Sequence, residues 1–310
     1  MNRTRNKRSQ LIRITLMLSL TLVMLAWPSA GAAATVAVDC DTGGKLQTAV
    51  NAAQPGDTVL VHGVCNENIT VRDELARITI DGQGSATIHG PNAGAATFTV
   101  LGRNITIRGF TITGGRQGIS VLRGGSALID SNTIQESAGF GIIVLQIGHA
   151  RIVNNTIQLN PNAGISVQEN SFARIGFLDL GGPALGNVIR RNGVAGVIVQ
   201  QASGGSLVGN NISENDGPGV SVSGASHADL ASNRIDGNSS DGVAVTANSD
   251  VQLGDEPGIL NPPNETAVPN GGVGLRCSQN SSAGGSLGTL NGAGGVKRFD
   301  SSCSNGPKIN

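Results

Sequence analysis

The chain contains no tyrosine, and its single tryptophan, Trp27, sits in the N-terminal stretch rather than in the body of the sequence. Only Phe98, Phe110, Phe140, Phe172, Phe177 and Phe299 remain as aromatics. A globular core ordinarily draws on aromatic side chains for bulk, so this chain has to bury stacked aliphatic side chains instead. Amphipathic helices between the short apolar runs are also missing, which excludes an alternating βαβ sheet. Cys-x-x-Cys spacing, a nucleophile elbow and a phosphate-binding glycine motif are absent as well, so metal-ribbon, serine-hydrolase and nucleotide chemistry have no foothold.

The N-terminus reads as an address. Arg3, Arg5, Lys7, Arg8 and Arg13 precede an apolar run from Leu16 to Trp27, and Pro28 to Ala34 supplies the small residues a signal peptidase favours. Twelve apolar-biased residues are too few to cross a bilayer and suit a secretory leader over residues 1–34. No later stretch is long enough to span a membrane. Of the 21 basic and 21 acidic residues, the leader holds five basic and no acidic ones, which leaves a mature charge of −5. Nucleic acid is therefore not an expected partner, since phosphate recognition needs a concentrated basic face. Cys40, Cys65, Cys277 and Cys303 form two pairs near the two ends. An even count in an exported chain reads as disulfides. Three connectivities exist, and Cys40–Cys65 with Cys277–Cys303 is favoured because each then staples one terminal region. A metal site is not expected.

The strongest signal is a repeat. The glycine that opens each Gly-aliphatic-x-aliphatic run falls at Gly118, Gly141, Gly164, Gly196, Gly219, Gly242 and Gly274. The steps are 23, 23, 32, 23, 23 and 32, so a 78-residue unit recurs, with nine extra residues around Gly176–Gly186 and again around Gly254–Asn264. Asn132, Asn155, Asn187, Asn210 and Asn233 keep the same register, as do Asn160, Asn192, Asn215, Asn238 and Asn270. If each coil stacks on the last at a strand spacing of ~4.8 Å, equal positions become neighbours. A buried Asn amide then donates to one Asn and accepts from the other, sparing a cost of ~1–3 kcal/mol per orphaned group. Pairs such as Ile119 and Val121, Ile142 and Val144, or Ala150 and Ile152 alternate with period 2, the mark of strands with one face inside. The predicted fold class is all-β: a single right-handed parallel β-helix over residues 35–277, with a short capping helix over Lys45–Ala53, where Leu46, Ala49, Val50 and Ala53 form one stripe. Pro55-Gly56-Asp57 ends that helix and Thr58 opens the first strand. Residues 278–310, rich in Gly and Ser, are expected to be a loose C-terminal cap or tail.

Leu46-Gln47-Thr48-Ala49-Val50, Pro55-Gly56-Asp57-Thr58-Val59-Leu60-Val61, Asn66-Glu67-Asn68-Ile69-Thr70-Val71 and Ile78-Thr79-Ile80-Asp81-Gly82 together resemble the opening of pectate-lyase-like β-helix proteins. That superfamily includes lyases, hydrolases, epimerases, esterases and the periplasmic proteins that help mature nitrous-oxide reductase. The resemblance covers roughly residues 38–277 and implies the fold, while one scaffold hosts many chemistries. Where many relatives carry an aromatic after the first strand's glycine, this chain has Val64-Cys65, which favours the disulfide.

The resemblance implies that catalytic residues, if any, lie on an outward strand face. Along the Gly-x-x-x strand the outward positions Ser120, Ile143, Ser166, Ile198, Ser221, Ala244 and Arg276 offer no carboxylate pair of the kind a glycosidase needs. On the other strand one column runs Ser126, His149, Phe172, Gly204, His227, Asp250, and its neighbour runs Leu128, Arg151, Arg174, Ser206, Asp229, Gln252. His227, Asp229 and Asp250 then form a cluster suited to general acid–base work, and Arg151 and Arg174 a pair suited to a uronate carboxylate. An ordinary solvated face with cross-coil charge pairs is the plainer alternative. Asp179 in the first insert and Asp255 and Glu256 in the second are further candidates, because loops carry function on such scaffolds. Two functions fit. One is a secreted or periplasmic solenoid, acting as a monomer, that presents a rigid surface to a polysaccharide or cell-envelope glycan and needs no cofactor. The other is a lyase or epimerase on polyuronic acids, for which calcium would be the expected cofactor.

Overall fold

The computed structural model describes residues 33–179, 182–254, 262–306 and 309. The leader expected over 1–34 falls almost wholly outside them. Residues 33–310 cluster as one compact unit. The described chain is a parallel β-solenoid with one short helix and no helix long and apolar enough to cross a membrane. Two parallel sheets run along it, one of ten described strands and one of eighteen. The larger sheet carries two files of strands, joined where Thr79–Gly90 and Ile105–Gly114 run through both.

Register follows the repeat. Ile142 pairs with both Ile119 and Ile165, and Ile165 pairs with Val197 across the longer step. The inward side chains at these positions are fully buried, so the core is a stack of aliphatic columns. Both Asn columns are continuous ladders. In the first, each Asn Oδ1 accepts the backbone N–H and the Nδ2–H of the Asn one coil earlier, from Asn132–Asn155 through Asn210–Asn233, with Nδ2···Oδ1 distances of 2.9–3.0 Å. Asn264 adds a final rung, 31 residues beyond Asn233 instead of 32, which equal spacing does not reveal. Ser171, Ser203, Ser226, Ser249 and Ser281 form a third buried ladder in which each Oγ accepts a backbone N–H from the coil before.

The helix spans Leu46–Ala52 and buries Leu46 and Val50. Its first N–H groups, which have no partner within the helix, donate to the Glu67 carboxylate from Leu46 and Gln47 at 2.9 and 3.2 Å. The winding begins one strand earlier than the sequence signals placed it. Thr35–Asp39 pairs with Thr58–His62 at a step of 23 residues, and its proximity to the leader had hidden its alternation. It also runs past Cys277. Ser282–Gly284, Lys297–Phe299 and Ser304–Asn305 each add a strand, so the Gly/Ser-rich segment, expected as a loose cap or tail, holds strands paired to the preceding coils; glycine weakens a strand pattern without preventing pairing.

Both disulfides take the favoured connectivity. Cys40–Cys65 and Cys277–Cys303 have Cα–Cα distances of 5.1 and 5.8 Å and close separations of 25 and 26 residues. Each thus ties adjacent coils at one end, and a closed loop of that length contributes about 3 kcal/mol.

Candidate functional site

The outward face of one file in the larger sheet carries the sequence-predicted residues. Strands Ser126–Asp130, His149–Val153, Phe172–Ile175, Gly204–Val208, His227–Ala231 and Asp250–Leu253 send one set of side chains into the core, Ala150, Ile152, Ala173 and Ile175 among them. The alternate set points out. The register matches Ser126, His149, Phe172, Gly204, His227 and Asp250 in one column and Leu128, Arg151, Arg174, Ser206, Asp229 and Gln252 in the other. On the smaller sheet, Ser120, Ile143 and Ser166 alternate with inward residues yet are buried rather than solvated.

His227, Asp229 and Asp250 are brought together at the acidic end of this face. His227 Nδ1 lies 2.5 Å from Asp250 Oδ2, and its Nε2 lies 3.0 Å from Asp229 Oδ1. Ser206 Oγ donates to Asp229 Oδ2 at 3.3 Å. Ionised carboxylates only accept, so both contacts are hydrogen bonds together only when both ring nitrogens carry protons. Partial burial pushes the His227 pKa down, but the hydrogen bonds and negative charges of Asp250 and Asp229 outweigh it and the net shift is upward. The arrangement therefore describes an imidazolium clasped between two carboxylates on neighbouring coils. Its bonds run from opposite sides of the ring, so the three side chains do not converge on a point. Among the described residues no group of three or more His, Cys, Asp or Glu is placed to hold a metal ion.

A stability consequence follows. Because the folded pKa of His227 is raised, its contribution is complete below the unfolded value near 6.5 and is lost as pH rises through the folded pKa. The cluster is half-exposed, so the effect stays below about 1 kcal/mol. Wild-type protein should melt slightly lower as pH climbs through that range relative to His227→Gln, in thermal scans from pH 5 to 9. Parallel curves for the two proteins would show that the clasp does not form.

Arg151 and Arg174 are cross-coil neighbours at the basic end. Arg151 is exposed and makes no hydrogen bond or ion pair among the described residues. Arg174 is anchored: Nη1 donates to the Leu178 carbonyl at 2.9 Å, the guanidinium sits 5.7 Å from the Phe177 ring centroid, and exposed Asp179 lies 4.0 Å away. The first insert thus begins by buttressing Arg174. Asp255 and Glu256 of the second insert lie outside the described residues. Around the two arginines an open groove of about 470 Å³ is lined by Thr106, Leu128, His149, Arg151, Phe172 and Arg174, with no acidic side chain in its lining. A second cleft of about 300 Å³, on the other file of the larger sheet, contains Arg190, Glu214, Arg234 and Asp236. There the charged groups are held by internal bonds: Arg190 donates to the neutral amide of Gln158, Glu214 pairs with Arg191, and Arg234 pairs with Asp236, whose Oδ1 also accepts the Ala267 and Val268 N–H groups.

Comparison with known proteins places this geometry in context. The family model described as right handed beta helix region matches residues 58–177 and 185–286, and the chain belongs to that family. A cell surface glycoprotein of Methanothermus fervidus is 32% identical over 129 residues, a match that covers 40% of this chain and 21% of that protein. The chain thus spans about a fifth of that relative's length. Among solved structures, pectate lyase Pel9A superposes with a TM-score of 0.55 at 14% identity, covering 89% of this chain and 81% of that one. The periplasmic alginate epimerase AlgG gives 0.57 at 14% identity, covering 88% and 71%. The A-module of the mannuronan C-5 epimerase AlgE6 from Azotobacter vinelandii gives 0.51 at 13% identity, covering 89% of both. At these identities the likeness is one of fold.

Proposed function

We propose that this chain works outside the cytoplasm as a solenoid that presents the outer face of its larger sheet to an extended glycan. The carrying observation is the open groove on that face, which crosses neighbouring coils and has in its lining a guanidinium unpaired among the described residues. A linear polymer laid along the solenoid would meet similar positions once per coil, every ~4.8 Å. The two disulfides fit an oxidising compartment. The neighbours in fold include a pectate lyase and alginate epimerases, and the sequence relative is a cell surface glycoprotein. Catalysis is the weaker reading. A general base needs a ring nitrogen free to take a proton from the substrate, whereas each nitrogen of His227 faces a carboxylate of its own protein.

The test is affinity electrophoresis of the purified mature chain through gels holding pectate, alginate, cellulose, chitin or peptidoglycan fragments. Retardation by at least one polymer is expected, with no rise in unsaturated-uronate absorbance with or without calcium. Migration unchanged in every gel would end the glycan reading. An absorbance rise that vanishes in His227→Ala would replace it with a lyase.

A further inference from the structure

We infer that Phe172 and Arg151 form a subsite for a single sugar ring bearing an anionic substituent, with the apolar ring face on the phenyl and the anion at the guanidinium. The inference deepens the glycan-binding reading above and rests on it. Its first support is the placement of Phe172. Phe98, Phe110 and Phe177 are at most 6% exposed, but Phe172 is 38% exposed on an outward position. A lone exposed apolar residue is ordinary; the surroundings of this one are not. Its partner on the next coil is Gly204, and a Cβ there would come within 2.8 Å of Phe172 Cδ2 and 3.3 Å of Cε2. The ring therefore lies across the next strand, over a backbone stripped of side chain, in the column where the other coils carry Ser126, His149, His227 or Asp250.

The second support is the charge around that ring. Arg151 is one coil back in the adjacent column and is unpaired among the described residues. Arg174, two residues along the Phe172 strand and so ~6.6 Å away, is held in place by Leu178 and Phe177. His149 flanks Phe172 on the preceding coil. The groove they share has room for a ring and its substituent at about 470 Å³. Among the described residues the one carboxylate within 4.0 Å of either guanidinium is that of Asp179, which stands at that distance from Arg174 and is exposed. Two and three coils further on, the same face turns acidic at Asp229 and Asp250. An anionic ring is drawn to the Phe172 end and repelled from the other, which fixes where along the face it sits. A planar guanidinium accepts a carboxylate, phosphate or sulfate in a two-point contact, so the shared chemistry is a pyranose with one such group.

The experiment is calorimetric titration of the mature protein and of Phe172→Ala and Arg151→Gln, each first checked for an unchanged melting midpoint. The probes are an oligogalacturonide, a sulfated galactose oligomer and a neutral cello-oligosaccharide. The wild type should prefer an anionic probe over the neutral one, and the better of the two anionic probes identifies the substituent. Phe172→Ala and Arg151→Gln should each weaken that probe by roughly tenfold or more. Anionic binding that both variants retain at wild-type strength would overturn the subsite and leave glycan binding standing elsewhere. Equal affinity for neutral and anionic probes would overturn the anion assignment. Binding of none of these probes by a wild type that a polymer gel does retard would overturn the subsite alone, and failure in both assays would remove the glycan reading with it.

Discussion

Asn210→Ala should destabilise the protein by about 3–6 kcal/mol, because it orphans several buried groups at once and each is worth ~1–3 kcal/mol. Asn210 is 1% exposed. Its Oδ1 accepts the backbone N–H and Nδ2–H of Asn187 at 3.0 and 2.9 Å. Its own Nδ2 donates to Asn233 Oδ1 and to the Ile175 carbonyl, both at 2.9 Å. Nδ2 also donates to the Val208 carbonyl at 3.3 Å, and alanine removes all five bonds at a position closed to solvent. Against a total of ~5–15 kcal/mol for an ordinary domain, this loss is large, and the melting midpoint should fall on the order of 10 °C or more. Asn211→Ala is the matched comparison. Asn211 is the next residue, is exposed, and uses its backbone alone in the described bonds, so its substitution should stay within ~0.5 kcal/mol. Equal shifts for the two variants would mean that the ladder carries no special weight.

The ladders also explain why so much of the fold was legible in sequence. Stacking turns equal spacing into contact, so a column of identical residues in the text becomes a column in space. Asn132 to Asn233 and Asn160 to Asn270 could be read straight off. Departures from equal spacing could not: Asn264 closes the first ladder one residue early, and Thr35–Asp39 supplies a coil before the capping helix. The turns were only half legible. Glycine is the usual occupant of left-handed backbone, yet the residues just before Asn160, Asn192 and Asn215 are Leu159, Arg191 and Glu214, with φ of 57°, 54° and 55°. Such a conformation costs about 1–2 kcal/mol for an L-residue, and the bonds made by the following Asn offset it. Sequence propensity sees the local cost and misses the long-range compensation.

Site geometry was readable in the same uneven way. Columns placed His227 beside Asp250 and Arg151 beside Arg174, because register alone decides that. Whether a side chain is free depends on neighbours that no column reveals. Arg174 is held by Leu178 and Phe177 from an irregular insert, while Arg151 is left open. The ring of Phe172 gains its place from the missing side chain of Gly204, a signal that was present in the column but visible only as a gap.

Ile165→Asp should abolish the folded state. Ile165 is fully buried and its strand partners are Ile142 and Val197. Replacing it removes a buried aliphatic side chain, at ~2–5 kcal/mol. It also places a carboxyl among isoleucines and valines with no partner, which costs several kcal/mol more whether it ionises or takes up a proton. The sum is comparable to the whole stability of a domain. Position makes it worse. Each coil of a solenoid touches only its neighbours, so a failed coil in the middle uncouples the two halves and exposes the apolar end of each. The same substitution at Leu275, whose strand is followed in its sheet by Lys297–Phe299 alone among the described strands, strikes near an end and should leave most upstream coils paired. Far-UV circular dichroism separates the two cases: loss of nearly all β signal or of soluble protein for Ile165→Asp, and retention of most of it for Leu275→Asp. Wild-type melting by Ile165→Asp would show that this column is not a dry interior, and a full collapse by Leu275→Asp would show that the coils do not fail locally.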